Sequence, residues 1–330
     1  MLLLVLSQEN VSLAVEEVLR VFGVSKYVLS GRYLLLDVRK NLRLCGKLAY
    51  TNEVYSVLFS GPSKKIFVLG EKFNWKKVYE KNYCVRSFCS VDEKKFAAVV
   101  WHALKDPMGN KVSGGSKNSK NFLEPKVNLK KAVSFFGIFK IKKEILVGKR
   151  IWVNSKDFLK RKAHMKPSLH PSSLNPRLAR CMVNLVGDVK KIVDPFCGSG
   201  GILVEALFLG KKVIGVDIDR IMVKRCLLNV THYRFQKDLY DIIVGDALEY
   251  TKKVSCVVTD IPYGKNTKTS DGLLSGFLKQ YASLTSTMIV GFPDSVDVRK
   301  VLRGTPWKIT FKTEWYLHKS LSKIVCVLEC

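Results

Sequence analysis

Apolar positions change rhythm midway along the chain. Leu2–Leu6 is an unbroken apolar run of strand length, and Val11–Phe22 sets Leu13, Val15, Val18, Leu19 and Phe22 at helical spacing. Strands are predicted at Lys26–Leu29 and Tyr33–Val38, with another opening at Tyr55–Phe59. A second helix is predicted over Val91–Leu104. Asp106–Asn121 is rich in Gly, Ser, Asn and Lys and reads as an exposed loop. Strands at Lys126–Leu129 and Phe136–Lys142 follow, so the first half reads as small α+β units.

The second half alternates more regularly. Between Ser155 and Pro176 the chain is basic and interrupted by Pro167 and Pro171, the composition of a linker. Asn175-Pro176 supplies a helix cap and a first-turn proline, and Arg177–Val186 continues as helix. Strand Lys191–Val193, helix Gly201–Leu209, strand Lys212–Val216 and helix Asp219–Val230 come next. Strands Tyr240–Val244 and Ser255–Thr259, helix Leu273–Leu284 and strand Thr287–Gly291 extend the pattern. Two strands near Trp307–Thr313 and Lys323–Leu328 close it as a hairpin. Such alternation predicts an α/β fold: a doubly wound, Rossmann-like, mostly parallel sheet with an antiparallel edge.

Composition narrows the class. At 330 residues and 47% hydrophobic content the chain is long enough for two or three domains with real cores. No apolar run approaches the roughly 18 residues of a spanning helix, and MLLLVL lacks a basic leader, so no membrane association and a cytoplasmic protein are expected. The nine cysteines show no Cys-x-x-Cys pair, so buried thiols are expected rather than disulfides or bound metal. Charge changes the picture most. Lys and Arg number 56 against 28 Asp and Glu, and Lys105–Lys166 alone carries net +13, while Gly201–Tyr250 is neutral. A segregated basic field beside an acid-containing island points to nucleic acid.

The candidate chemistry lies in that island and after it. In Val193-Asp194-Pro195-Phe196-Cys197-Gly198-Ser199-Gly200-Gly201 a strand ends, a glycine-rich turn follows and a helix begins. This layout fits a nucleotide ligand at the carboxyl ends of the strands. The glycine spacing departs from Gly-x-Gly-x-x-Gly, and Asp194 would repel a pyrophosphate. An acid there suits a cation, which favours S-adenosyl-L-methionine over NAD. Gly215-Val216-Asp217-Ile218-Asp219 ends the next strand, with Asp217 suited to ribose hydroxyls and Asp219 to capping the following helix. Gly245-Asp246-Ala247 repeats the design, where an acid suits an adenine amino group. Thr259-Asp260-Ile261-Pro262-Tyr263-Gly264 ends the fourth strand with an acid, a proline and an aromatic ring. An exocyclic amine has its lone pair delocalised into the base. A carboxylate and a backbone carbonyl accepting its N–H bonds turn that pair outward, and a ring stacks on the extruded base.

These motifs resemble class I methyltransferases, and Asp260-Ile261-Pro262-Tyr263 resembles their [Asp/Asn/Ser]-Pro-Pro-[Tyr/Phe/Trp] tetrapeptide, with Ile261 in place of the first proline. With His170–Leu185 (HPSSLNPRLARCMVNL) and DPFCGSGGILVEA, the stretch Arg161–Gly264 resembles the archaeal and eukaryotic THUMP-containing tRNA guanosine-10 N2-methyltransferases. The resemblance implies catalytic roles for Asp260, Pro262 and Tyr263. It implies S-adenosyl-L-methionine contacts at Asp194, Phe196, Cys197, Gly198, Gly200, Asp217, Ile218, Asp246 and Ala247, with the His170–Ser173 turn at the pocket's edge. It further implies a ferredoxin-like subdomain over 1–80, a THUMP RNA-binding domain over 81–160, a linker over 161–175 and a methyltransferase domain over 176–330. Implied partners are tRNA and a small zinc-binding activator subunit at the edge strand Leu239–Val244. Another guanosine, such as tRNA position 6 or one in rRNA, and a non-catalytic RNA-binding protein with a vestigial pocket stay open as alternatives.

Overall fold

The structure, a computed structural model of the chain, describes residues 1–105, 124–170, 173–262, 271–318 and 321–330. In chain order its first elements are β1 (Leu2–Leu6), α1 (Val11–Phe22), β2 (Val28–Ser30), β3 (Tyr33–Leu36), α2 (Leu42–Cys45) and β4 (Thr51–Pro62). Next come α3 (Ile66–Lys72), β5 (Tyr83–Ser87), α4 (Glu93–Lys105), β6 (Ser134–Ile141) and β7 (Glu144–Val153). The second half holds α5 (Pro176–Leu185), β8 (Lys191–Asp194), α6 (Gly201–Phe208), β9 (Lys212–Asp217), α7 (Arg220–His232) and β10 (Tyr240–Val244). It ends with β11 (Val257–Asp260), α8 (Asp271–Tyr281), β12 (Thr287–Pro293), α9 (Val298–Val301), β13 (Lys308–His318) and β14 (Leu321–Glu329).

Two compact units form. The first comprises Met1–Leu6, Lys26–Cys45 and Asn52–Val153, built on one seven-stranded sheet in the order β2-β3-β1-β4-β7-β6-β5. Its core gathers Trp75, Phe96, Phe136 and Ile138 in one cluster and Leu3, Val5, Tyr55 and Phe139 in another. The sheet runs without interruption across residue 80. Strands β5 and β7 went unread in the sequence, because YCVRS lacks alternation and EILVGKRIWV is broken by Gly-Lys-Arg. The strand expected at Lys126–Leu129 reduces to a single bridge between Val127 and Tyr83. The loop predicted at Asp106–Asn121 falls outside the described residues.

The second unit comprises Ser7–Ser25, Gly46–Thr51 and Asn154–Cys330. Its seven-stranded sheet has the order β10-β9-β8-β11-β12-β14-β13, with β8 to β12 parallel and the β13–β14 hairpin antiparallel at one end. This is the predicted Rossmann-like sheet with its antiparallel edge. Strand order reverses at β8, which lies between β9 and β11, and the crevice at such a switch point is where α/β sheets take ligands. Asn175 caps α5 by accepting from the Arg177 amide at 2.9 Å. The stretch read as a linker is packed rather than free. Arg161 is buried and donates to both Glu205 oxygens, at 2.6 and 2.8 Å, holding a short turn over Asp157–Arg161 against α6.

Helix α1 precedes most of the first unit in sequence yet packs against α5 of the second. Its apolar face accounts for part of this, and the buried Glu17 carboxylate for the rest. Glu17 accepts from the amides of Ala49 and Tyr50, both at 2.8 Å, and from Asn184 Nδ2 at 2.6 Å. Burial raises its pKa, and those three donors with Arg180 offset only part of the rise. Removing the carboxylate strands buried donors that cost about 1–3 kcal/mol each. Glu17→Ala should therefore destabilise the protein by about 3 kcal/mol. A melting temperature matching wild type would show that this clamp holds nothing.

Candidate active site

The site grows from the ends of four neighbouring parallel strands. In sheet order β10-β9-β8-β11, an acid stands at or just past each carboxyl terminus: Asp246, Asp217, Asp194 and Asp260.

Asp194 ends β8 and is 2% exposed. Its Oδ1 accepts from Thr259 Oγ1 at 2.7 Å and from the Phe196 amide at 3.2 Å. Burial pushes its pKa up to about 7; Asp260 and Asp217 add to the rise, against the pull of those two donors. The following turn needs glycine twice. Gly198 and Gly200 have φ of +49° and +83°, in the left-handed region, and a Cβ at Gly200 would lie 2.6 Å from Cys226 Sγ. Around Gly198 there is open space, room for a ligand to approach the backbone closely. Cys197 is buried with its amide on the Val216 carbonyl, so it joins the loop to β9. The half-buried Phe196 ring packs on Phe277 at 5.1 Å.

Asp217 ends β9 with Oδ2 accepting from the Gly198 amide at 2.8 Å and Oδ1 from the Asp219 amide at 2.9 Å. Each oxygen keeps a lone pair for a diol. Asp219 instead caps α7, accepting from the Ile221 amide at 2.7 Å. Ile218 between them is 73% exposed, a large apolar side chain beside a carboxylate, suited to the face of a flat heterocycle. Asp246 caps a short turn through the Leu248 amide at 2.8 Å, and buried Ala247 receives the Tyr281 hydroxyl on its carbonyl. A hydrogen-bonding diol site, an exposed apolar face and a crowd of carboxylates together fit a nucleoside with a cationic tail.

Beyond the switch point, β11 delivers Asp260. Ile261 is fully buried in the core with its amide on the Gly291 carbonyl, which explains why an aliphatic residue serves where relatives of the motif have proline. Pro262 is half-buried beside it. Tyr263 and Gly264 lie outside the described residues, as do Pro171 and Ser172 of the His170–Ser173 turn. Ser173 itself reaches the glycine loop, its hydroxyl 2.7 Å from that of Ser199. Buried Asn229 ties the same region, bonding both the amide and carbonyl of Ser168 and the carbonyl of Ser199.

One residue of the site went unread: Lys323, whose Nζ donates to both Asp260 oxygens, at 2.6 and 2.5 Å. Its only trace in the sequence is a lysine at the mouth of an otherwise apolar strand.

Comparisons with known proteins give the chain's family and fold. The RMKL-like methyltransferase domain family matches residues 163–320, and the DNA methylase family matches residues 50–226. The tRNA (guanine(10)-N2)-dimethyltransferase of Methanothermobacter thermautotrophicus is 30% identical over 299 residues, 86% of this chain and 83% of that protein. The enzyme of the same name from Pyrococcus abyssi is 29% identical over 307 residues, 88% of this chain and 87% of that one. Among solved structures, TrmN from Thermus thermophilus covers 99% of both chains with a TM-score of 0.53 at 16% identity, a likeness of fold.

The Asp194 environment has a measurable consequence. Its folded pKa, about 7, lies above the ordinary carboxylate value. The stability it contributes is thus complete in acid and lost as pH rises through about 7. Asp194→Asn should match wild type in acid, melt higher in alkali by an equivalent of about 2–4 kcal/mol, and bind a cationic ligand less well. Parallel melting curves at all pH would refute the buried-charge assignment.

Proposed function

The chain belongs to the family of the tRNA (guanine(10)-N2)-dimethyltransferases, and on that premise we propose that it methylates the exocyclic N2 amine of guanosine 10 in tRNA. The donor is S-adenosyl-L-methionine, which when bound supplies an electrophilic methyl group on a sulfonium. The observation that carries this reading is the row of four acids across the switch point, ending in Asp260-Ile261-Pro262.

Each residue has a task in that reading. Asp217 accepts the ribose hydroxyls, Ile218 covers one face of the adenine, and Asp246 with Ala247 meets its polar edge. Phe196, Cys197, Gly198 and Gly200 shape the loop so that its backbone lies close to the ligand, and Asp194 faces the cationic tail. Asp260 and the Pro262 carbonyl accept the N–H bonds of the acceptor amine, which aims its lone pair at the methyl group. Orientation matters more than proton removal here, because the amine becomes acidic only once the methyl has moved. Tyr263, next in sequence, is assigned to stacking on the base.

The first unit, which lies within residues 1–160, is assigned to tRNA binding, with the ferredoxin-like and THUMP modules of the family accounting for its uninterrupted sheet and its basic residues. The free thiols, seven of the nine buried, suit the cytoplasm, and among the described residues no helix is long and apolar enough to cross a membrane. The edge strand β10 is assigned to the activator subunit. It lies at one end of the sheet, and Ile243 and Val244 there are 37% and 43% exposed. An open backbone edge with apolar side chains suits strand addition by another chain.

Tests follow from the chemistry. With unmodified tRNA, nucleoside mass spectrometry should find one or two methyl groups on N2 of guanosine 10, and none when inosine, which lacks that amine, replaces it. Asp260→Ala should lower turnover by about 1000-fold while cofactor affinity stays within a few-fold. tRNA affinity should fall steeply with salt. Methyl groups at another nucleotide, or substantial turnover by the Asp260 variant, would sink the reading. For the partner, Ile243→Asp should abolish co-purification with the zinc-binding subunit and leave melting of the single chain unchanged; retained association would rule out this edge.

A further inference from the structure

Lys323 is 2% exposed, on β14, on the same strand face as the buried valines Val325 and Val327. A lysine enters such surroundings only with a partner for its charge, and replacing a buried ion pair with apolar side chains is often neutral or stabilising. Stability alone is therefore a weak reason to keep one. The pair sits where the reaction is assigned. Three strands build the position of one carboxylate: β11 carries Asp260, β12 clears a path for it and β14 brings the ammonium. In register with Asp260 stands Gly291, where a Cβ would lie 2.7 Å from Asp260 Oδ1, so only glycine leaves room for this rotamer. Lys323 pairs with Pro293 two residues further along β12 and spans both Asp260 oxygens.

We propose that Lys323 is a positioning residue for methyl transfer: its ammonium keeps the Asp260 carboxylate charged and in one rotamer, leaving lone pairs on both oxygens for the N–H bonds of the acceptor amine. This rests on the role given to Asp260 above. The alternative, a carboxylate free to rotate and to take up a proton in its buried setting, would present an O–H where an acceptor is needed. Among the described residues the charged groups facing Asp260 are Lys323 from β14 and Asp194 from β8, while β12 presents Gly291. Burial favours protonation of Asp260, and the Lys323 ammonium opposes it.

The test uses the full chain, with Lys323→Met to remove the charge while keeping the stem and Lys323→Arg to restore the charge. Single-turnover methylation by Lys323→Met should drop by about 100-fold at neutral pH, and the acid limb of its pH–rate profile should move to higher pH. Cofactor affinity should stay within a few-fold, and Lys323→Arg should recover both rate and limb. A second measurement serves if the methionine variant is too slow to profile. Without the ammonium, Asp260 stays buried only when protonated, so its folded pKa rises and the stability it contributes fades as pH increases through that value. Lys323→Met should thus lose melting temperature toward alkaline pH more steeply than wild type, and adding Asp260→Asn should abolish the extra slope. An acid limb unmoved from wild type, or no extra slope, overturns the proposal. Wild-type protein and Asp260→Ala run alongside separate the two readings. A wild type that leaves tRNA unmethylated defeats the functional assignment, whereas an active wild type with a dead Asp260 variant and an unmoved limb defeats Lys323 alone.

Discussion

Adjacent strands of a sheet run about 4.8 Å apart, and here four neighbours in a row end in carboxylates. Carboxylates gathered out of water oppose one another's ionisation, as Asp260 and Asp217 do for Asp194. Each acid is accordingly given its own relief. Asp217 and Asp246 accept backbone amides, Asp194 accepts a hydroxyl and an amide and sits near the point of taking a proton, and Asp260 receives a lysine. The left-handed glycines of the loop, the threonine on β11 and the lysine on β14 are all consequences of holding that rim together. The field left over is negative and concentrated at the switch point, which suits a ligand that arrives with positive charge.

That rim was largely legible in the sequence, because strand ends and glycine turns are local features. Three of the acids followed short apolar runs that could only be strands, and Asn175-Pro176 announced α5 by its cap. The capping role read for Asp219 also stands. What escaped were relations between distant segments. Nothing near Lys323 in sequence says that Asp260, 63 residues earlier, lies against it. Likewise Gly291 gives no sign that a carboxylate needs its missing Cβ. Arg161, in a stretch read as a linker, escaped for the same reason: its partner, Glu205, is 44 residues away.

The first unit shows the complementary failure. Strands β5 and β7 lie in a single sheet with five others, and there pairing rather than alternation decides the conformation. β7 pairs with β4 from Glu144 to Val153 and with β6 from Glu144 to Lys149, which sustains a strand through Gly148, Lys149 and Arg150 that local pattern would break. β5, at the sheet edge, is held by parallel pairing with β6, so cross-strand context overrides propensity in both strands.

Glu17 and Asn184 are 167 residues apart in sequence and hydrogen-bonded in the fold. During synthesis α1 leaves the ribosome well before its docking partner α5, which arrives only after the whole first unit has been made. At elongation rates of about 5–20 residues per second this leaves an amphipathic helix without its cover for many seconds. The first unit must meanwhile fold as an insertion between the helix and its seat. A nascent chain arrested ahead of α5 would therefore expose the apolar face of α1, a natural foothold for chaperones and a point where translation pauses would govern yield.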